Sequence, residues 1–308
     1  MKGLGIILMV IGHMHLSELS DKLIYSFHMP LFFIISGFLY RKKTLKKEYV
    51  LRKAKNLLLP YIFFGGGYSI LYLFIYGTED IISKIKGVLL ISVENLPFES
   101  ALWFLTVMFE TVVLYLIIDN VIKKAWIRRT IVFLLVILGM TWKIIMPTLL
   151  PWGIQVTFVA VGFYEIGRFV KEANYKDLSM EKKTIIFVIT FVIWISVVIL
   201  NEPLNMRASL YHIIPLSVIG AISGTYLVYY ISELLSKTHL EKTLSNISQW
   251  AVLFLVSNHL VLIITGKLVG IVCSDGVQYL FTGIVSIGIM YLASWILYKT
   301  PIKHILGR

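Results

Sequence analysis

The chain has 308 residues, of which 58% are hydrophobic and 15% charged, and its mean hydropathy is +0.83. A soluble domain is about half apolar and about a quarter charged, so this composition excludes a water-soluble globule and predicts an all-α, polytopic membrane bundle. A single cysteine, Cys273, excludes an internal disulfide framework and a thiolate metal site, and the net charge of +12 has to be read from where the charges fall.

Ten apolar runs have about the length that crosses a bilayer. They fall at 3–16, 23–40, 57–76, 102–122, 130–146, 151–167, 184–200, 209–231, 250–272 and 278–298. We read the chain 1–308 as one domain of about ten transmembrane helices. The first run lacks a polar leader and a small-residue cleavage site, and it flows into further apolar segments, so it is a span and not a cleaved signal.

The first run, within "KGLGIILMVIGHMH", carries His13 near its far end. A short link, "SELSDK", turns the chain back into "FHMPLFFIISGF", which carries His28. The two runs are therefore antiparallel neighbours, and both histidines are expected in the same half of the bilayer at matched depth. A histidine titrates near neutrality and can take or give a proton. A polar side chain in hydrocarbon is costly unless it is paired or faces a cavity. A packing hydrogen bond explains one such histidine, and two at matched depth weaken that explanation. Pro30 is expected to bend the second run, and Ser36 with Gly37 to let another helix approach closely.

The segment 41–55, "RKKTLKKEYVLRKAK", holds eight basic residues. Taking alternate connections, 23 of the 29 Lys and Arg fall in Lys2, 41–55, 123–129, 168–183, 237–242 and 299–308. The other set holds Lys22, Lys84, Lys86, Lys143, Arg207 and Lys267. This asymmetry predicts a multi-pass protein with both termini cytoplasmic. It also accounts for the net charge without nucleic acid. The 41–55 cluster could in addition meet anionic lipid or an anionic cytosolic ligand.

The third run opens on "NLLLPY", with Pro60 near its start. The loop 77–101 follows, and its middle, 81–93, could lie flat on the membrane. The fourth run opens on "ALWFL" with Trp103 and carries Glu110, an acid expected to pair with His259 or His13 or to stay neutral. The remaining runs add His259 in "LVSNHL" and, near inner ends, Glu165 and Arg168. No internal repeat supports an inverted-repeat transporter.

Taken together, "KGLGIILMVIGH", "YSFHMPLFFIISGFLY", "LRKAKNLLLPY", "ALWFL", "PWGIQVTFVAVGFYEIG" and "SNISQWAVLFLVSNHL" resemble, in order and over nearly the whole chain, the acyltransferase 3 family of membrane acyltransferases. The likeness is to its fucose 4-O-acetylase-like branch. The family's signature of an arginine, ten residues and a histidine matches Lys2 and His13. Lysine keeps the charge and loses the bidentate fork. The family also carries residues ahead of this motif, so the resemblance implies either that the true start lies upstream of Met1 or that the chain is shortened there.

The resemblance implies transfer of an acyl group, commonly acetyl, from cytosolic acyl-CoA to a hydroxyl of a cell-surface or lipid-linked carbohydrate. O-acylation needs a base for the hydroxyl and donors for the oxyanion. His13 is the expected base, with His28 orienting it or binding the oxyanion. Lys2, Arg41, Arg52 and Lys55 are expected to hold the phosphates of acetyl-CoA. Ser36, Trp103, Glu110 and His259 are expected around the acceptor or behind the histidines, with Trp103 stacking on a sugar ring. No metal is implied. Two other readings stay open at this point: a transporter or flippase of a lipid-linked glycan, and a non-catalytic homologue. The oligomeric state is left open.

Overall fold

A computed structural model describes residues 1–146, 148–173, 178–271 and 275–307. Among these residues the chain is all-α, and its one extended pairing is a bridge between Asn205 and Leu210. The helices run in the order α1 (Lys2–Gly12), α2 (Glu18–Tyr25), α3 (His28–Phe38), α4 (Lys47–Tyr76), α5 (Ile81–Leu89), α6 (Trp103–Val121), α7 (Ala125–Ile145), α8 (Ile154–Glu172), α9 (Met180–Leu200), α10 (Ile214–Leu235), α11 (Leu240–Gln249), α12 (Ala251–Gly270) and α13 (Asp275–Leu297). Cys273 lies outside the described residues.

Each of the ten apolar runs contains a helix. Seven of these helices, among the described residues, are long and apolar enough to cross a membrane: α4, α6, α7, α9, α10, α12 and Gln278–Leu297 of α13. Their outward faces remain apolar. On α9, Ile185, Val188, Ile189, Phe191 and Val192 are all exposed. Water would not tolerate a face of this kind, and a bilayer satisfies it. The other three runs hold α1 and α3, of 11 residues each, and α8, whose inner turns carry Glu165, Arg168, Lys171 and Glu172.

The second run is not one bent helix. It breaks at Phe27, whose φ of −147° and ψ of −18° are non-helical. The polar piece before the break, α2, is capped by Ser17, whose hydroxyl accepts from the Ser20 amide. Pro30 therefore stands in the first turn of α3 rather than inside a long helix. There its missing N–H costs nothing, because first-turn amides have no helical acceptor. Pro60 differs in the opposite sense. Helix α4 starts at Lys47, ahead of the apolar run, so Pro60 lies well inside it and not near its start. The basic segment 47–55 is thus part of a helix that continues into the membrane. Within the loop 77–101, α5 does form a helix, over Ile81–Leu89.

Helix α3 lies against α8 with no space between the backbones. A Cβ placed on Gly37 would sit 1.8 Å from the Tyr164 carbonyl oxygen, and one on Gly167 would sit 1.9 Å from that of Ile34. Small residues at both crossing points bring the two helices into contact, as is common where lipid offers no hydrophobic drive. This contact carries the wall of the site described next.

Candidate functional site

Three histidines meet where α1, α3 and α12 approach one another. The His13 ring centroid lies 4.2 Å from that of His259 and 6.4 Å from that of His28. His28 is fully packed, at 2% exposure, and its Nδ1 donates to the Ile24 carbonyl at 3.2 Å. That carbonyl lies in the last turn of α2 and also accepts from the Phe27 backbone N–H at 3.3 Å, so the helix end that precedes His28 supplies its partner.

His13 is oriented by Asn258, a residue that sequence reasoning missed. Its Nδ1 lies 3.0 Å from Asn258 Oδ1. The Asn258 amide nitrogen donates to the Leu255 carbonyl at 2.9 Å, which fixes the oxygen toward His13. An amide oxygen only accepts, so His13 carries its proton on Nδ1 and presents the lone pair of Nε2. This is the form of imidazole that a general base requires. The hydrogen bond that orients His13 thus comes from Asn258 and not from His28. Because His28 also spends its Nδ1 proton on a backbone carbonyl, its neutral ring offers an acceptor, not an oxyanion donor. The available signal was "SNH" itself: an asparagine in mid-span falls under the same rule that singled out the histidines.

Replacing Asn258 by leucine keeps the volume and removes the acceptor. The loss of one hydrogen bond, about 1.5 kcal/mol, should lower the turnover of any reaction that uses His13 as base about tenfold. Asn258→Asp, which keeps the acceptor, should retain most of it. Turnover rates of the two variants check this.

A cavity of about 460 Å³ lies between α1, α3, α6 and α12, and none of the three histidines lines it. Its mouth is lined by Lys2, Arg41, Lys43, Arg52 and Lys53, and its interior by apolar side chains from α1, α3, α6 and α12 together with Ser36. The deep end points at the histidines. Met9 on α1, Leu255 on α12 and Phe32 on α3 all line it. His13, His259 and His28 each lie four residues, or one helical turn, beyond them and away from the mouth. Lys2 stands at the opposite end of α1 from His13, roughly 16 Å away at 1.5 Å per residue.

Of the expected phosphate holders, Lys2, Arg41 and Arg52 line this mouth and Lys55 does not. Lys43, Lys53, Asn56 and the ring of Tyr49 line it instead, and Lys43, Arg52 and Lys53 all stand within 6 Å of that ring. Ser36 lines the wall, but its hydroxyl donates back to the Phe32 carbonyl at 2.8 Å.

Two further expectations change. Glu110 pairs with neither histidine: its Oε2 accepts from Thr157 on α8 at 2.6 Å. Its position on α6 faces α8, whereas His13 and His259 face α12 and α1. Trp103 is buried at 5% exposure at the start of α6, with Phe104 at 6.2 Å, so its ring has no open face for a sugar.

The cavity wall is braced from behind by a buried ionic network. Tyr40, which lines the cavity, donates to Asp119 Oδ2 at 2.9 Å. Asp119 Oδ1 accepts from Arg168 at 2.5 Å and from Arg128 at 3.3 Å. Arg128 also donates to both oxygens of Glu165, at 3.3 and 3.4 Å, and Tyr115 donates to Glu165 as well. Two carboxylates and two guanidiniums thus balance one another between α6, α7 and α8. Three imidazoles meet in this site, yet among the described residues no group of three or more His, Cys, Asp or Glu is placed to hold a metal ion.

Comparison with known protein families finds a match to the model of the acyltransferase 3 family, described as an acyltransferase domain, over residues 1–299. No curated protein and no solved structure matches the chain.

Proposed function

The chain belongs to this family of acyltransferases, and from that premise we propose that it is a membrane O-acyltransferase moving an acyl group, acetyl first among them, from cytosolic acyl-CoA to a hydroxyl of a cell-surface or lipid-linked carbohydrate. The observation that carries the reading is the cavity: basic at the mouth, apolar along its length, and aimed at an oriented histidine. Lys2, Lys43, Arg52 and Lys53 suit the phosphates of a coenzyme A. The apolar walls suit its arm and exclude water, which protects a thioester from hydrolysis. The basic face is then the cytoplasmic one, with both termini on it, in keeping with the charge asymmetry.

In this mechanism the acceptor hydroxyl gives its proton to His13 Nε2 as its oxygen attacks the thioester carbonyl. Asn258 holds the ring through Nδ1 while the imidazolium exists. Collapse of the tetrahedral adduct breaks the C–S bond, and the proton leaves with the thiolate. His259, whose ring is tilted 46° against that of His13, keeps solvent from that side of the ring. The resemblance of the sequence motifs to the fucose 4-O-acetylase-like branch favours a sugar as acceptor.

Membranes holding the protein, given acetyl-CoA labelled in the acetyl group and cell-envelope glycan, should move label into an alkali-labile ester on the glycan. A folded protein that consumes no acyl-CoA under these conditions would overturn the assignment, as a glycan flippase would behave in that way.

A further inference from the structure

The connections on the face opposite the basic cavity mouth are poor in cations, since only six of the 29 Lys and Arg belong to that set. Two of the six, Lys143 and Arg207, line one and the same cavity of about 350 Å³, together with Glu94, Trp142, Asn205 and Ser209. The rule that empties such loops of positive charge gives no reason for two cations to converge there.

The cavity is built rather than incidental. Asn205 and Leu210 exchange both backbone hydrogen bonds, at 3.0 and 2.9 Å, which closes a tight loop around Arg207, Ala208 and Ser209. The Asn205 side chain accepts from the Ala208 amide at 3.0 Å. Ser209 is held at a φ of 52°, in the left-handed region, a strain of the kind kept at working sites. Its hydroxyl is buried and stands beside the hydroxyl of Tyr211, a second polar group at the cavity loop. Arg207 donates Nε to the Val93 carbonyl at 2.9 Å, and Lys143 donates to the Ala208 carbonyl at 3.4 Å, so both cations are anchored at the loop. Trp142 is anchored too, its indole N–H donating to the Thr148 carbonyl at 2.9 Å. Arg207 also lies within electrostatic reach of His13 and His259. The charge of one residue lining this cavity is therefore felt at the histidine cluster as well.

We infer that this cavity receives a negatively charged group of the acceptor, a phosphate or carboxylate borne by the carbohydrate beside the hydroxyl to be acylated. The inference rests on the O-acyltransferase reading and names its substrate class. Lys143 and Arg207 supply the charge, the Ser209 hydroxyl a hydrogen bond, and the Trp142 indole a flat apolar surface of the kind that packs on a sugar ring.

The test uses the full-length protein in phosphatidylcholine vesicles with labelled acetyl-CoA. Three acceptor probes are offered: a glycerol-phosphate oligomer, an oligoglucuronate and a neutral glucan oligomer. Slow hydrolysis of acetyl-CoA without acceptor is followed in parallel. Transfer is expected to one or both anionic probes, and which of them is taken distinguishes phosphate from carboxylate. Lys143→Gln, at an exposed position that the fold does not need, should raise KM for that probe about tenfold, the ratio that one charge-assisted hydrogen bond supplies. Arg207→Gln should raise KM in the same direction. Equal or better use of the neutral glucan, hydrolysis without transfer to either anionic probe, or an unchanged KM in Lys143→Gln each overturn the inference. If the unsubstituted protein shows neither hydrolysis nor transfer, the failure belongs to the acyltransferase reading, and this inference falls with it.

Discussion

Replacing His13 with alanine is expected to lower acyl transfer about 10²–10⁴-fold, the range that a positioned general base supplies. The expectation follows from three facts about one side chain. His13 stands one turn beyond Met9, which lines the cavity. Its Nδ1 is committed to Asn258, which leaves Nε2 to take a proton. It ends α1 as that helix's C-cap, where its backbone N–H bonds to the Met9 carbonyl at 3.1 Å, so the substitution alters no helix interior. Binding of acyl-CoA at the basic mouth should survive, because the phosphates would sit at the other end of α1. The measurement is therefore paired: transfer of labelled acetyl, and retention of labelled acetyl-CoA by the purified protein. Transfer that persists at the unsubstituted rate would remove His13 from the mechanism. If binding and transfer disappear together, the substitution has damaged the fold rather than the chemistry.

Arg128→Met should destabilise the protein by about 3–5 kcal/mol, the cost of breaking a buried ion pair by removing one partner. The Arg128 side chain is 4% exposed and stands between Asp119, at 1%, and Glu165, at 8%. Without it, Glu165 keeps Tyr115 and Arg129, and Asp119 keeps Tyr40 and Arg168. Neither acid is left without a partner, but two negative charges are then balanced by one buried guanidinium. Replacing Arg128 with methionine and Glu165 with leucine together should cost less than the sum of the two single changes, because each removes the charge that strands the other. Thermal unfolding midpoints in detergent of the two single variants and the double variant read this directly. Additive losses would mean that the network does not act as a unit. Its purpose in the fold is local: it ends on Tyr40, and so keeps that wall of the cavity in place.

The histidine cluster was legible in the sequence only in part. His13 and His28 could be matched in depth because a short link joins their runs, and the structure sets their rings 6.4 Å apart. His259 comes nearer to His13 than His28 does, at 4.2 Å, although more than 240 residues separate the two in sequence. No spacing rule reports a contact of that range. Asn258 was passed over because an amide carries no charge and titrates nowhere, yet it decides which nitrogen of His13 holds the proton. The expected pairing of Glu110 failed for a related reason. A sequence shows that a buried acid needs a partner but not which neighbour its helix face meets, and here that neighbour is Thr157. The expected stacking of Trp103 on a sugar fails likewise, because the packing of α6 buries the ring.

Hydropathy and charge are properties of residues one at a time, and what depends on them alone was determined by the sequence. The all-α membrane class, the ten apolar runs and the concentration of cations on alternate connections follow from counting. The order of motifs that places the chain in its family is likewise linear. Whatever depends on which faces meet was decided by the tertiary structure. It turned the second run into two helices at Phe27, and at that break the Ile24 carbonyl takes the His28 ring as a further partner. It drew α3 onto α8 through Gly37 and Gly167, and it gathered Asp119, Arg128, Glu165 and Arg168 from three helices into one balanced cluster behind the cavity. In a low-dielectric interior each buried polar group must find a partner, and only the packing of the helices determines which one it finds.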